Sequence, residues 1–313
     1  MGANLATVTL SVQRFTPRAQ RERERNRSAS PFAKKGSPFG SSRAPRRARG
    51  KSWKQEYTVT LPADSTVLDA LLHIKRVEDP SLAFRYSCGH GMCGSDAVAI
   101  NGSPTLLCTA KLRDVAQPSR TDNDGFRPTG SVERVKEPES DGSDPARSED
   151  GSQPVDLGVI NVGPLPGFPV LRDLIVDIDP MLDQIRRMKP YLIADGVLAT
   201  THDGKVDVFE YLQRPEQLAR YEVLTNCIAC GVCEGSCPVY AGGEAFVGPA
   251  ALIAQSRFVN DSRDEATEER LEMIDTADGV QACQSVRACS RPCPKGIDVG
   301  EEVWQLIAQV KER

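Results

Sequence analysis

Cys227-Ile228-Ala229-Cys230-Gly231-Val232-Cys233-Glu234-Gly235-Ser236-Cys237-Pro238 sets four cysteines at x2, x2 and x3 intervals and closes on proline. In that spacing three thiolates grip one cubane iron–sulfur cluster while the fourth reaches a neighbouring cluster. Structural thiols have no reason to keep such intervals, so the run commits the C-terminal part of the chain to a fold built around clusters. A degenerate copy follows at Cys283-x5-Cys289-x3-Cys293-Pro294. Aligned on the first run, Cys283, Cys289 and Cys293 take its first, third and fourth positions, and Val286 takes the second. Valine has no donor atom, so one cluster corner lacks a thiolate. In a two-cluster arrangement Cys227, Cys230, Cys233 and Cys293 complete a 4Fe–4S cubane. Cys237, Cys283 and Cys289 remain, a set that suits a 3Fe–4S cluster or a 4Fe–4S cluster with water at the open corner.

Upstream, Cys88-x4-Cys93-x2-Asp96-x11-Cys108 follows the plant-type 2Fe–2S spacing, with aspartate in the third ligand position. A carboxylate oxygen is a harder donor than thiolate and can still ligate iron. Gly89, Gly91 and Gly94 allow positive φ, which turns backbone N–H groups toward cluster sulfurs. A zinc site is the alternative, although this spacing is not that of the common zinc knuckles or ribbons. A Rieske centre needs two histidines, and apart from His90 the chain has only His73 and His202, both far from any cysteine.

The remaining composition sets the frame. At 313 residues the chain has room for two domains of roughly 100–200 residues each. No apolar run reaches the ~20 residues needed to cross a bilayer. The net charge of −4 gives no overall electrostatic case for nucleic acid, and no nucleic-acid partner is expected. Without an apolar leader, ten cysteines in three tight groups point to metal ligation in a reducing compartment rather than to disulfides.

Along the chain, alternation over residues 5–15 and 57–61 predicts strands. Ser65 or Thr66 is positioned to cap a helix whose apolar face is Val67, Leu68, Leu71, Leu72 and Val77. After the cysteine loop at 86–96, a strand at 97–100 turns through Asn101-Gly102, a hairpin signal, toward Leu106-Leu107-Cys108. Strand-like runs return at 157–162 and 170–178. Helical spacing is expected over 180–189, 215–223, 249–260, 264–274 and 298–311, with cysteine loops between. Residues 16–52, basic and rich in Ser, Pro and Gly, and 113–155, polar and of low complexity, are expected to be disordered inserts.

In order and spacing, the three groups resemble those of the iron–sulfur subunit of succinate dehydrogenase and fumarate reductase. Leu68-Asp69-Ala70-Leu71, Asp79-Pro80-Ser81-Leu82-Ala83-Phe84-Arg85, Pro164-Leu165-Pro166-Gly167-Phe168-Pro169-Val170-Leu171-Arg172-Asp173-Leu174 and Cys293-Pro294-Lys295-Gly296-Ile297 resemble further family stretches. The resemblance implies an α+β protein with a β-grasp, plant-type ferredoxin-like domain over 1–178 and an all-α ferredoxin-like domain over 179–313. It implies 2Fe–2S on Cys88, Cys93, Asp96 and Cys108, 4Fe–4S on Cys227, Cys230, Cys233 and Cys293, and 3Fe–4S on Cys237, Cys283 and Cys289. Electrons would pass from FAD in a partner flavoprotein through these centres to quinone at membrane-anchor subunits. The chain itself would be peripheral, on the cytoplasmic face of a prokaryotic membrane rather than on the mitochondrial matrix side. Succinate oxidation is the leading activity; fumarate reduction, or a free-standing multi-cluster ferredoxin, is the alternative. Pro238, Val286 and Gln284 occupy family positions near the quinone. Gly242 stands where many members have Trp, and Gln284 where many have His.

Overall fold

The protein is described by a computed structural model, which covers residues 5–18, 50–118, 154–194, 202–204 and 213–313. Most of the two expected inserts, 19–49 and 119–153, lies outside the described residues.

The N-terminal half is a five-stranded mixed sheet carrying one helix. Its strands are β1 (Leu5–Pro17), β2 (Gly50–Pro62), β3 (Ala97–Ile100), β4 (Ser103–Leu106) and β5 (Val155–Gly163), in the order β2-β1-β5-β3-β4. β1 runs parallel to β5 and antiparallel to β2, while β3 is antiparallel to both β4 and β5. The period-2 pattern of β1 buries Ala6, Val8, Leu10 and Val12. Thr7 and Thr9 pair across the other face with Thr60 and Thr58, each at 3.2 Å. α1 (Val67–Val77) starts at a capping box: the Thr66 hydroxyl accepts from Asp69 N–H, and the Asp69 carboxylate accepts from Thr66 N–H. Val67, Leu68, Ala70, Leu71 and Ile74 press into one core with Leu10, Val59 and Leu106. Val77, at the last turn, is exposed instead. Asn101 (φ 50°) and Gly102 (φ 83°) form the two-residue turn between β3 and β4.

The described residues at the edges of both expected inserts carry regular structure. Residues 16–17 and 50–52 continue the β1–β2 ladder, with Pro17 opposite Gly50. Backbone pairing extends this hairpin past the last apolar alternation. Residues Leu112–Val115 form the short helix α2, and Gln117 bridges to Val159, so the start of the expected 113–155 insert is structured. The 170–178 run is a small hairpin, β6 (Val170–Arg172) and β7 (Ile175–Val176), turning at Asp173 (φ 46°).

The C-terminal half is helical: α3 (Asp179–Arg187), α4 (Pro215–Leu218), α5 (Val232–Ser236), α6 (Pro238–Gly242), α7 (Pro249–Val259), α8 (Thr267–Ile274) and α9 (Val299–Glu312). α7 is central and buried on nearly every side. α4 ends well before residue 223, because Tyr221 (φ −133°) leaves helical geometry and a 3-10 turn at Glu222–Asn226 follows. That turn buries Tyr221 and Leu224 against Ile253 and Val299. α8 begins at Thr267 because the Asp264 carboxylate accepts from Ala266 N–H and pairs with the Arg270 guanidinium. α5 and α6 arise inside the cysteine run, where loop was expected. Left-handed Gly231 (φ 78°) and Gly243 (φ 83°) delimit them, and Pro238 opens α6.

Leu165, Phe168, Val176, Met181 and Ala250 form an apolar cluster joining the halves. A Cβ placed on Gly235 of α5 would lie 2.9 Å from Leu165 Cδ1 and 3.3 Å from Pro104 Cγ of β4. The cysteine run is thereby seated directly on the sheet. Among the described residues no helix is long and apolar enough to cross a membrane.

Candidate metal centres

The approach to the first cysteine loop is held by a buried cation. Arg14, 3% exposed, ion-pairs with Asp79 and with Asp173 (3.1 Å). Asp173 also accepts from Phe15 N–H (3.0 Å) and Ala83 N–H (2.9 Å), so β1, the 79–84 stretch and the β6–β7 turn are tied at one point. Burial opposes ionisation of Asp79, but hydrogen bonds from Ser81, Tyr57 and Arg14 outweigh it and hold its pKa well below the usual carboxylate range.

The loop itself has Gly89 (φ 74°), Gly91 (φ 74°) and Gly94 (φ 66°) in left-handed backbone. This geometry aims N–H groups at sulfur: Gly91 N–H donates to Cys108 Sγ (3.2 Å) and Met92 N–H to Cys88 Sγ (3.4 Å). Hydrogen bonds from His90 N–H, Cys93 and Met92 N–H lower the Cys88 pKa to about 6. His90 is exposed, with Nδ1 2.7 Å from the Cys88 carbonyl oxygen. Cys108 is buried, which together with the Asp96 carboxylate pushes its thiol up to about 12.

Asp96 is 3% exposed; its Oδ2 accepts from Cys108 N–H at 2.7 Å. Its Oδ1 is buried and has no hydrogen-bond partner among the described residues. A buried acceptor left unmade costs about 1–3 kcal/mol, more when charged. A buried carboxylate oxygen so placed, on the residue that joins the Cys88–Cys93 loop to Cys108, fits a cation ligand.

Cys227, Cys230, Cys233 and Cys293 line one recess enclosing about 390 Å³ of empty space, part of it open to solvent, walled by Ile253 and Ile297. Cys237 does not line it. Cys237 and Cys283 belong to one apolar cluster of the helical half, and burial raises the Cys289 pKa to about 12. Among the described residues, no three His, Cys, Asp or Glu side chains converge on a point that a single metal ion would fill. The donor set, with thiols in groups of three and four, fits clusters better than one ion.

Pro238, Gln284 and Val286 are all exposed, on the segments that carry Cys237 and Cys283. Val286, 59% exposed, lies between two left-handed residues, Ser285 (φ 56°) and Arg287 (φ 60°). Arg287 is pinned by Asp298 (2.6 Å) and stacks over Trp304 at 4.6 Å. Nothing lies within 4 Å of a Cβ built on Gly242, so the space beside it is open.

Sequence reasoning missed Glu234. It is fully buried, accepts from Cys233 Sγ–H (2.9 Å) and Ala250 N–H (2.7 Å), and burial raises its pKa. The only signal was a carboxylate inside the cysteine run. It also missed contacts between loops: Lys295 Nζ reaches Met92 Sδ at 2.9 Å, and a Cβ on Gly94 would lie 2.6 Å from Cys230 Cβ.

A sheet half with one ligand loop, joined to a helical half with two interleaved cysteine runs, defines a multi-cluster iron–sulfur protein. Residues 9–183 match the family described as a 2Fe-2S iron-sulfur cluster binding domain, and 223–297 the 4Fe-4S dicluster domain. The chain is 35% identical over 245 residues to the fumarate reductase iron-sulfur subunit of Mycobacterium tuberculosis, covering 78% of this chain and 80% of that protein. To the succinate dehydrogenase iron-sulfur subunit of Coxiella burnetii it is 31% identical over 262 residues, covering 83% and 91%. A chain of the Mycobacterium smegmatis Sdh1 complex in the apo form shares the fold with a TM-score of 0.64 at 21% identity, covering 99% of this chain and 97% of that one. The chain belongs to the family of iron–sulfur subunits of succinate dehydrogenase and fumarate reductase. It is a subunit of an oxidoreductase and is not catalytic alone.

Proposed function

We propose that this subunit relays electrons between FAD in a partner flavoprotein and quinone at membrane-anchor subunits. The observation that carries the reading is the recess shared by Cys227, Cys230, Cys233 and Cys293. Cys88, Cys93, Asp96 and Cys108 hold the 2Fe–2S cluster, the four recess thiols the 4Fe–4S, and the remaining three thiols a 3Fe–4S. The clusters supply one-electron carriers. The polypeptide supplies ligands, N–H donors to sulfur and exclusion of water, which tune each potential.

In this reading residues 1–178 form one domain, a β-grasp supported by the parallel β1–β5 pair and packed α1, and 179–313 form the other. The exposed Pro238, Gln284 and Val286 face quinone. Gly242 and Gln284 place no ring there, so hydrogen bonding to quinone comes from Gln284, the anchor subunits or water. The subunit sits on anchor subunits at the cytoplasmic face of a prokaryotic membrane.

Iron and sulfide analysis with EPR tests the assignment. About nine irons per chain are expected, with an oxidised 3Fe–4S signal and a reduced 2Fe–2S signal. Colourless protein containing zinc would overturn it, and about ten irons would mean a second cubane in place of the 3Fe–4S. Comparing succinate oxidation with fumarate reduction in the purified complex assigns the direction; succinate oxidation is the expected one.

A further inference from the structure

Gly94 is the point at which the first cysteine loop touches the second. It follows Cys93 directly, and its backbone is left-handed at φ 66°. A Cβ built there would lie 2.6 Å from Cys230 Cβ, 3.0 Å from Cys230 Cα and 3.3 Å from Ile228 Cδ1. Real Cβ atoms do not approach carbon at 2.6 Å, and Cys230 Cα is backbone that cannot swing aside. One carbon–carbon bond is roughly 1.5 Å, so Gly94 Cα itself lies within about 4.1 Å of Cys230 Cβ, in van der Waals contact. The other cross-contact to this loop noted above, Met92–Lys295, runs through two long flexible side chains, Met92 exposed and Lys295 half-buried. The Gly94–Cys230 contact is the stiffer one, and it joins a residue covalently next to one ligand-bearing cysteine to another such cysteine.

We propose that Gly94 is a positioning residue for electron passage: the missing side chain lets the 2Fe–2S and 4Fe–4S loops close to contact, and the crossing between them is made there. This rests on the ligand assignment of the proposed function. In the step concerned, the 2Fe–2S centre is oxidised by one electron and the 4Fe–4S centre reduced by one, with reduced flavin as donor and quinone as final acceptor. Tunnelling falls off exponentially with distance, so a methyl group that forces the loops apart slows the crossing without removing any ligand.

The test is Gly94→Ala in the assembled complex, with iron content, EPR of each centre reduced by dithionite, their spin–spin interaction and freeze-quench kinetics after succinate, which delivers electrons through the flavin. Gly102→Ala is the comparison: its backbone is also left-handed (φ 83°), but nothing lies within 4 Å of the added methyl. Expected for Gly94→Ala are full iron, both signals, a weakened magnetic interaction and severalfold slower reduction of the second centre. Gly102→Ala should leave the last two unchanged. Both centres present with normal interaction and normal kinetics in Gly94→Ala overturns the proposal while leaving the ligand assignment standing. Wild-type protein without the two signals overturns the assignment itself. If Gly94→Ala fails to assemble, it is combined with Ile228→Ala, which opens the 3.3 Å contact. Recovery of both centres with slow crossing supports the proposal; recovery with normal crossing, or no recovery, overturns it.

Discussion

Asp96→Ala separates a ligand from a merely buried carboxylate. In the chain's own packing the substitution removes the acceptor for Cys108 N–H, a charged hydrogen bond worth about 1.5–3 kcal/mol. It also removes the orphaned Oδ1, whose burial costs about 1–3 kcal/mol. The two nearly cancel, so the fold itself should change by about 1 kcal/mol or less. A cluster that loses one of four ligands has no such compensation. Purified Asp96→Ala should keep its far-UV circular dichroism, lose about two of about nine irons and lose the reduced 2Fe–2S signal. Asp96→Cys should regain the irons and show a 2Fe–2S signal with altered g-values, because a soft thiolate replaces a hard oxygen. Full iron with an unchanged spectrum in Asp96→Ala would refute the reasoning and assign the fourth ligand elsewhere.

Further outcomes follow from the same structure. Val286→Cys should convert the three-iron site to a four-iron cluster, with about ten irons per chain, a lower potential and loss of the oxidised 3Fe–4S signal; survival of that signal would show the third group to be misassigned. Arg270 is fully buried, chelates Asp264 and donates to the carbonyl oxygens of Met188, Lys189 and Tyr191. Arg270→Met should therefore cost about 3–5 kcal/mol in denaturant melts of the loaded protein, and a loss under about 1 kcal/mol would refute the clamp. The pKa of Asp79 is depressed on folding, so its contribution is complete above the ordinary carboxylate value of 3.8 and is lost as pH falls toward the lower folded value. Asp79→Asn should lower stability at pH 7 and flatten the acid limb of a stability–pH profile; an unchanged acid limb would remove Asp79 from the account.

Elements with strong local signals are where sequence reasoning expects them. Asn101-Gly102 closes its hairpin because both residues tolerate positive φ. Thr66 and Asp69 start α1 because each satisfies the other's backbone N–H. Signals that depend on distant partners were not legible. β2 reaches back to Gly50 through Lys51, Trp53 and Lys54, whose side chains carry no apolar alternation, because β1 supplies the hydrogen bonds. The α4 helix stops at Leu218 because burying Tyr221 and Leu224 against Ile253 outweighs another helical turn.

At the candidate site the division is sharper. Residue type and interval alone supplied the proposed donors, their grouping and the corner without one, since ligation is local chemistry and valine cannot supply it. Only the tertiary structure decided how those donors are surrounded. It left Asp96 Oδ1 buried and unpaired, enclosed Glu234 beside Cys233, and brought Gly94 against Cys230 across more than a hundred residues of chain. Such contacts arise from the packing of the sheet half on the helical half, and no periodicity along the chain records a distance between segments that meet only when both are folded.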